Sequence, residues 1–203
     1  MGNLQQIKGM SIRERGPSIE FLGHLFVTLL KYGYTLDTVI SPLSEPFAYL
    51  LLRADEEPLQ IYSLAAHHSF EALAVPTSTK ALRISLSSVD ESSAITMGTS
   101  YLLRLARLHL FRLDTLKSLL LNPPAMHDDT DTCKRHDRLN VQRAFGLTAG
   151  YLVWEATASI ETEWIRVFFE GVMKDIGCAF CRENVRKRMD GVLEDWKDTK
   201  ATI

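Results

Sequence analysis

The stretch Pro58-Leu59-Gln60-Ile61-Tyr62-Ser63-Leu64-Ala65-Ala66-His67-His68-Ser69-Phe70-Glu71-Ala72-Leu73-Ala74-Val75 decides the fold. Leu59, Tyr62 and Ala66 recur at helical spacing, as do Ile61, Leu64 and Ala65. The pattern stops at His68-Ser69. Ser69 offers an N-cap oxygen, Glu71 sits in the next first turn, and Phe70, Leu73 and Ala74 start a second apolar face. Two helices joined this tightly fold back on each other and need cover on both sides.

Working outward, residues 1–18 read as a polar tail with three glycines and Pro17. Phe21, Leu22, Leu25, Phe26 and Leu29 give a helix over Ile19–Tyr32, with Gly33 as its C-terminal cap. Pro42 and Pro46 break Leu36–Leu52 into bent turns. Asp55, Glu56 and Glu57 then place negative charge at the N-terminus of the Pro58 helix.

Downstream, Pro76 is expected to kink or restart the second helix of the pair, and residues 85–93 read as a serine-rich loop. Thr99 or Ser100 caps a long helix over Tyr101–Leu121, with Asp114 as a candidate break and leucines around more than half its circumference. Asn122-Pro123-Pro124 ends it. Residues 123–138 read as a polar linker, and residues 139–203 as a second helical unit behind the first unit, 19–122. In the second unit, Leu147–Ile176 forms one or two helices ended by Gly177, and Trp164, Phe168 and Val172 share a face. Val185, Met189, Val192, Leu193 and Trp196 line a last helix over Arg182–Trp196. The Trp164 and Trp196 stripes read as core. Alternating strand patterns and fixed-period repeats are absent, so the expected fold is all-α, of packed helical hairpins.

Composition sets the outer bounds. The 203 residues are 46% hydrophobic and 24% charged, with a net charge of −2. No global positive field exists to gather nucleic acid or an acidic membrane. Three cysteines and no Asn-X-Ser/Thr sequon argue against a disulfide framework and for a reducing compartment, cytoplasm or nucleus. The apolar run Phe21–Leu30 is too short to span a bilayer. Met1-Gly2 lacks the Ser or Thr at position 6 that myristoylation wants.

One constellation stands out chemically. Cys133-Lys134-Arg135-His136 and Cys178-Ala179-Phe180-Cys181 are two pairs of zinc-type ligands, each pair separated by two residues. Cys133, His136, Cys178 and Cys181 would close a tetrahedral, structural zinc site. Zinc is thus the one candidate ion, and no other cofactor is expected. A redox Cys-x-x-Cys wants a βαβ setting that this sequence does not offer. His67-His68, His127-Asp128 and His136-Asp137 supply ligand types for a helical metal-dependent hydrolase, but the last two pairs lie in the polar segment. Asp129-Thr130-Asp131 fails as a calcium loop, because Lys134 and Asn140 stand where glycine and glutamate are needed. Nucleotide-loop and nucleophile-elbow motifs are missing, so no catalytic residue is assigned. Arg182, Arg186, Lys187 and Arg188 share their helix with Glu183, Asp190, Glu194 and Asp195, which reads as a solvated face.

Several segments between Leu29 and Leu121 are similar to a known family. They are Leu29-Leu30-Lys31-Tyr32-Gly33-Tyr34, Pro58-Leu59-Gln60-Ile61-Tyr62-Ser63-Leu64-Ala65, Phe70-Glu71-Ala72-Leu73-Ala74, and Tyr101-Leu102-Leu103-Arg104-Leu105 with His109. Together with Cys178-x-x-Cys181 they resemble the later part of fungal BTB/POZ-domain proteins. The resemblance implies a relative truncated in its N-terminal BTB part, with a BACK-like helical extension. It also implies an adaptor that binds a protein partner, self-association included. A small structural zinc domain is the alternative reading, and the hydrolase the third.

Overall fold

The computed structural model describes residues 16–203, so the expected tail lies almost wholly outside it. The described residues are all-α, with nine helices. These are α1 Ile19–Lys31, α2 Leu36–Val39, α3 Glu45–Glu56, α4 Pro58–His67, α5 Glu71–Ala81, α6 Glu91–Leu120, α7 Arg135–Glu155, α8 Thr162–Lys174 and α9 Ala179–Asp198. They form two compact units. The first runs to Leu108 and includes Ala201–Ile203; the second is His109–Lys200.

In the first unit α4 and α5 form the centre, as the opening stretch implies. Ile61, Tyr62, Ala65, Phe70, Leu73 and Ala74 are fully buried. Phe70 meets Phe26 of α1 and Phe47 of α3 edge to face. The Tyr62 hydroxyl donates to the Tyr101 carbonyl at 2.9 Å, closing a third side. Arg53 is 1% exposed and is held by the Glu57 carboxylate, the Tyr49 hydroxyl at 3.1 Å and the Pro17 carbonyl at 3.0 Å. The last residues join this unit: the Thr79 hydroxyl donates to the Ala201 carbonyl, and the Ile203 amide to the Ser78 hydroxyl.

The turn between α4 and α5 differs from expectation. Ser69 does not cap α5; it ends α4. Its φ is +52°, the Ser69 amide donates to the Ala66 carbonyl at 3.0 Å, and the Phe70 amide donates to the Ala65 carbonyl at 2.8 Å. This is a Schellman motif with serine at the left-handed position. Helix α1 ends the same way, with Gly33 at φ +82° and bonds from Gly33 to Leu30 and from Tyr34 to Leu29.

Pro76 does not break α5. The helix runs on through the proline, and in the turn around it the Thr77 hydroxyl donates to the Leu73 and Ala74 carbonyls and the Ser78 hydroxyl to that of Val75. The long helix starts earlier than expected, at Glu91. Its interruption is Gly98, at φ +71°, where two helical pieces abut, and Asp114 lies within a continuous stretch.

The division between units also falls elsewhere than the expected linker. It lies at Leu108/His109, inside α6. Leu105 belongs to the first core and Leu116 and Leu120 to the second, which is why leucine encircles this helix. Residues 123–138 are part of the second unit.

In that unit Phe145, Leu152, Ile165, Phe169, Val185, Met189 and Trp196 build the core. Buried Arg112 donates to the Ala158 carbonyl at 2.6 Å and to the Thr199 and Lys200 carbonyls, and its guanidinium lies 4.1 Å from the Trp196 ring centroid. Trp196 is core as expected, but Trp164 is 61% exposed. The α8 positions that turn inward are Ile165 and Phe169, one residue further along.

Ser69→Gly is expected to stabilise the protein by about 1 kcal/mol, because a left-handed Cβ costs roughly 1–2 kcal/mol and glycine's extra chain entropy offsets part of the gain. Urea denaturation of both forms measures it, and an unchanged or lower midpoint for the glycine variant contradicts the assignment.

Candidate metal centre

The centre is built on the N-terminus of α9. Cys178 is its N-cap and Cys181 lies in its first turn, so the two thiols sit on one side of a helix start. Arg182 fixes the approach by donating twice to the Ile176 carbonyl, at 3.2 and 2.6 Å. The third thiol, buried Cys133, immediately precedes α7. It is set by a tight turn in which the Thr130 amide donates to the Cys133 carbonyl at 3.0 Å, and the Asp137 carboxylate then receives the Lys134 amide at the helix start.

The fourth group is His127, on the irregular segment after α6. Side chains from neighbouring helices hold that segment. Gln142 donates to the Pro124 carbonyl, Asn184 to that of Ala125, and Arg188 to those of Asn122 and Leu119. His127 Nδ1 lies 2.6 Å from the Asp128 carbonyl. A proton on Nδ1 satisfies that contact and leaves the Nε2 lone pair free to act as a ligand. Nε2 points at the thiols, 3.2 Å from Cys181 Sγ and 3.4 Å from Cys178 Sγ, and the Phe180 ring covers the imidazole.

His127, Cys133, Cys178 and Cys181 place all four ligand atoms within 4.8 Å of one another, with 3.7 Å between Cys133 Sγ and Cys181 Sγ. With Zn–S bonds of about 2.3 Å and Zn–N of about 2.0 Å, a regular tetrahedron has S···S edges of about 3.8 Å and S···N edges of about 3.5 Å. Three of the six separations in the cluster lie within about 0.3 Å of these edges, and all six are within 4.8 Å. A cleft of 430 Å³ lined in part by the three cysteines, Asp137, Asn140 and Asp175 opens onto the thiols and gives an ion a route in.

The thiols differ electrostatically. The Cys181 main-chain amide, then the Cys133 thiol and the Phe180 amide, lower the Cys178 pKa to about 7. Burial, and then the two neighbouring thiols, push Cys181 up to about 12, and burial raises Cys133 as well. One thiolate is thus present near neutrality to receive a cation, whose charge would then favour loss of the other two protons.

Three of the four residues expected from spacing are brought together, and the histidine is exchanged. His136 is exposed on the first turn of α7, where the Asn140 amide donates to its Nε2 at 3.0 Å. The helix begins between Cys133 and His136, so the two side chains diverge. His127 lies six residues before Cys133, with no motif spacing to mark it; the prolines that stop α6 were the available signal. His67 and His68 belong to the first unit, at the end of α4, their ring centroids 4.8 Å apart; burial first, and then His67, lower the His68 pKa. Among the basic residues of α9, Arg182 and Arg188 are engaged with main-chain carbonyls and Arg186 with Glu183. No helix among the described residues is long and apolar enough to cross a membrane.

Compared with family models, curated proteins and solved structures, the chain matches none, and the centre is read on its own geometry.

In chelator-treated protein at pH 7.5, iodoacetamide is expected to modify half-buried Cys178 well before buried Cys133 and Cys181, and added zinc to protect all three. Peptide mapping by mass spectrometry reads the order. Equal labelling of the three with and without zinc contradicts the site.

Proposed function

We propose that the chain is an all-helical interaction module whose second unit is built around a structural zinc ion held by His127, Cys133, Cys178 and Cys181. The observation that carries this reading is the convergence of four ligand atoms within 4.8 Å, three of whose six separations, 3.2, 3.4 and 3.7 Å, lie close to the edges of a zinc tetrahedron. Four protein ligands leave no open coordination position, which favours a structural over a hydrolytic role. The metal joins the segment after α6, the start of α7 and the start of α9, three pieces that helix hydrogen bonds alone do not connect. An interaction role is supported by large apolar side chains left in solvent, Leu121, Leu147 and Trp154 among them. The likeness of the first unit's helices to BTB/POZ-related proteins supports an adaptor, with a protein as its partner.

Metal analysis of the purified chain is expected to give about one zinc per molecule. His127→Ala and Cys178→Ser should lose it, whereas His136→Ala should keep it. Chelation should lower the melting temperature by about 10 °C or more, since a structural zinc contributes directly to folding energy. Because each thiol must lose its proton to bind the metal, zinc affinity should fall as the pH is lowered. Zinc-free protein with an unchanged melting temperature in chelator, or loss of zinc in His136→Ala alone, overturns the assignment.

A further inference from the structure

Helix α7 is apolar on two opposite sides. Phe145, Ala149 and Leu152 are buried in the second unit's core. Leu147, Tyr151 and Trp154, at spacings of four and three, face solvent, with Leu147 77% and Trp154 85% exposed. On α8, Trp164 and Val167 are also more than half exposed, and Phe168 joins the two stripes through Tyr151, at 5.5 Å between ring centroids. The five exposed side chains present on the order of 700 Å². That exceeds the largest apolar patch of an ordinary monomer, about 300–600 Å², and approaches the roughly 800 Å² each partner gives to a standard interface.

Beside the stripe runs a groove of 320 Å³, lined by Lys117, Leu120 and Leu121 of the α6 end and by Gly146, Ala149, Gly150 and Val153. A side-chain carbon on Gly146 or Gly150 would meet nothing within 4 Å, so the chain's own packing does not require glycine there. Each costs a helix about 1 kcal/mol relative to alanine. Close approach of another backbone or a large side chain accounts for both.

We propose that this face is the interface of a homodimer, in which α7 packs antiparallel on α7 of a second copy about a two-fold axis near Tyr151. The register follows from the helix itself. Such an axis sets Trp154 of one copy opposite position 148 of the other, between Gly146 and Gly150, so the protruding indole enters the partner's groove, and the reciprocal contact forms at once. The proposal uses the helical packing of the second unit and does not rest on the metal.

Sedimentation velocity on the full chain, with zinc content and helical circular dichroism measured on every sample, tests it. The expected result is a species of twice the 23.0 kDa of one chain at micromolar concentrations, dissociating on dilution. Trp154→Glu and Gly150→Leu should each give monomer with unaltered helicity and zinc. A wild-type chain that stays monomeric at high micromolar concentration overturns the proposal, as does a dimer that persists in both Trp154→Glu and Gly150→Leu. Gly150→Leu keeps the test decisive if Trp154→Glu fails to fold, since the leucine enters open space.

Discussion

Four ligand atoms within 4.8 Å of one another are the constraint on which the second unit depends. Such a cluster is awkward without a cation. Three thiols this close cannot all ionise at ordinary pH, because each negative charge disfavours the next; burial first, and then the two neighbouring thiols, push Cys181 up to about 12, while the Cys181 main-chain amide holds Cys178 down to about 7. Buried sulfur and imidazole also have few other polar partners here. A divalent ion replaces mutual repulsion with three short bonds to thiolate and one to neutral imidazole, and so turns a costly arrangement into a crosslink.

The crosslink matters because of where its ligands sit. Cys178 and Cys181 are on a helix start, which is rigid; Cys133 is one residue from another. His127 is on neither. Its segment has no ladder of its own and takes its shape from Gln142, Asn184 and Arg188, whose side chains satisfy the carbonyls of Asn122, Pro124 and Ala125. Gln142 lies on α7, and Asn184 and Arg188 lie one turn apart on α9; all three are polar, and none belongs to a recognisable motif. They are nonetheless what aims an otherwise mobile type of segment at the thiols. Arg188, which reads in sequence as part of a solvated basic face, is spent on this internal task.

That contrast explains how much was legible beforehand. The all-α class, the central helix pair and the three cysteines follow from local periodicity and spacing, which are properties of neighbouring residues. His127 required knowing that α7 begins at Arg135 and turns His136 away, a matter of one helix boundary. Ser69 had the chemistry of an N-cap, and only the bonds from Ser69 to Ala66 and from Phe70 to Ala65 distinguish ending one helix from starting the next. Proline at 76 signalled a break, yet α5 continues through it, with the Thr77 and Ser78 hydroxyls bonded back to the carbonyls of the preceding turn. In each case a local signal was real, and a bond made one helical turn away decided its outcome.

The second unit spends its apolar residues in an unusual way. A domain of about ninety residues has a small core and little stability to spare. Yet α7 turns Leu147, Tyr151 and Trp154 away from that core and places two glycines beside them. A metal crosslink would relax this conflict, because it would supply folding energy from one end of α7 and remove the need for both faces of the helix to serve the same core. The outer face is then free to meet another surface. Zinc at the start of the helix would thus make the fold tolerable with an exposed indole near its end left in solvent.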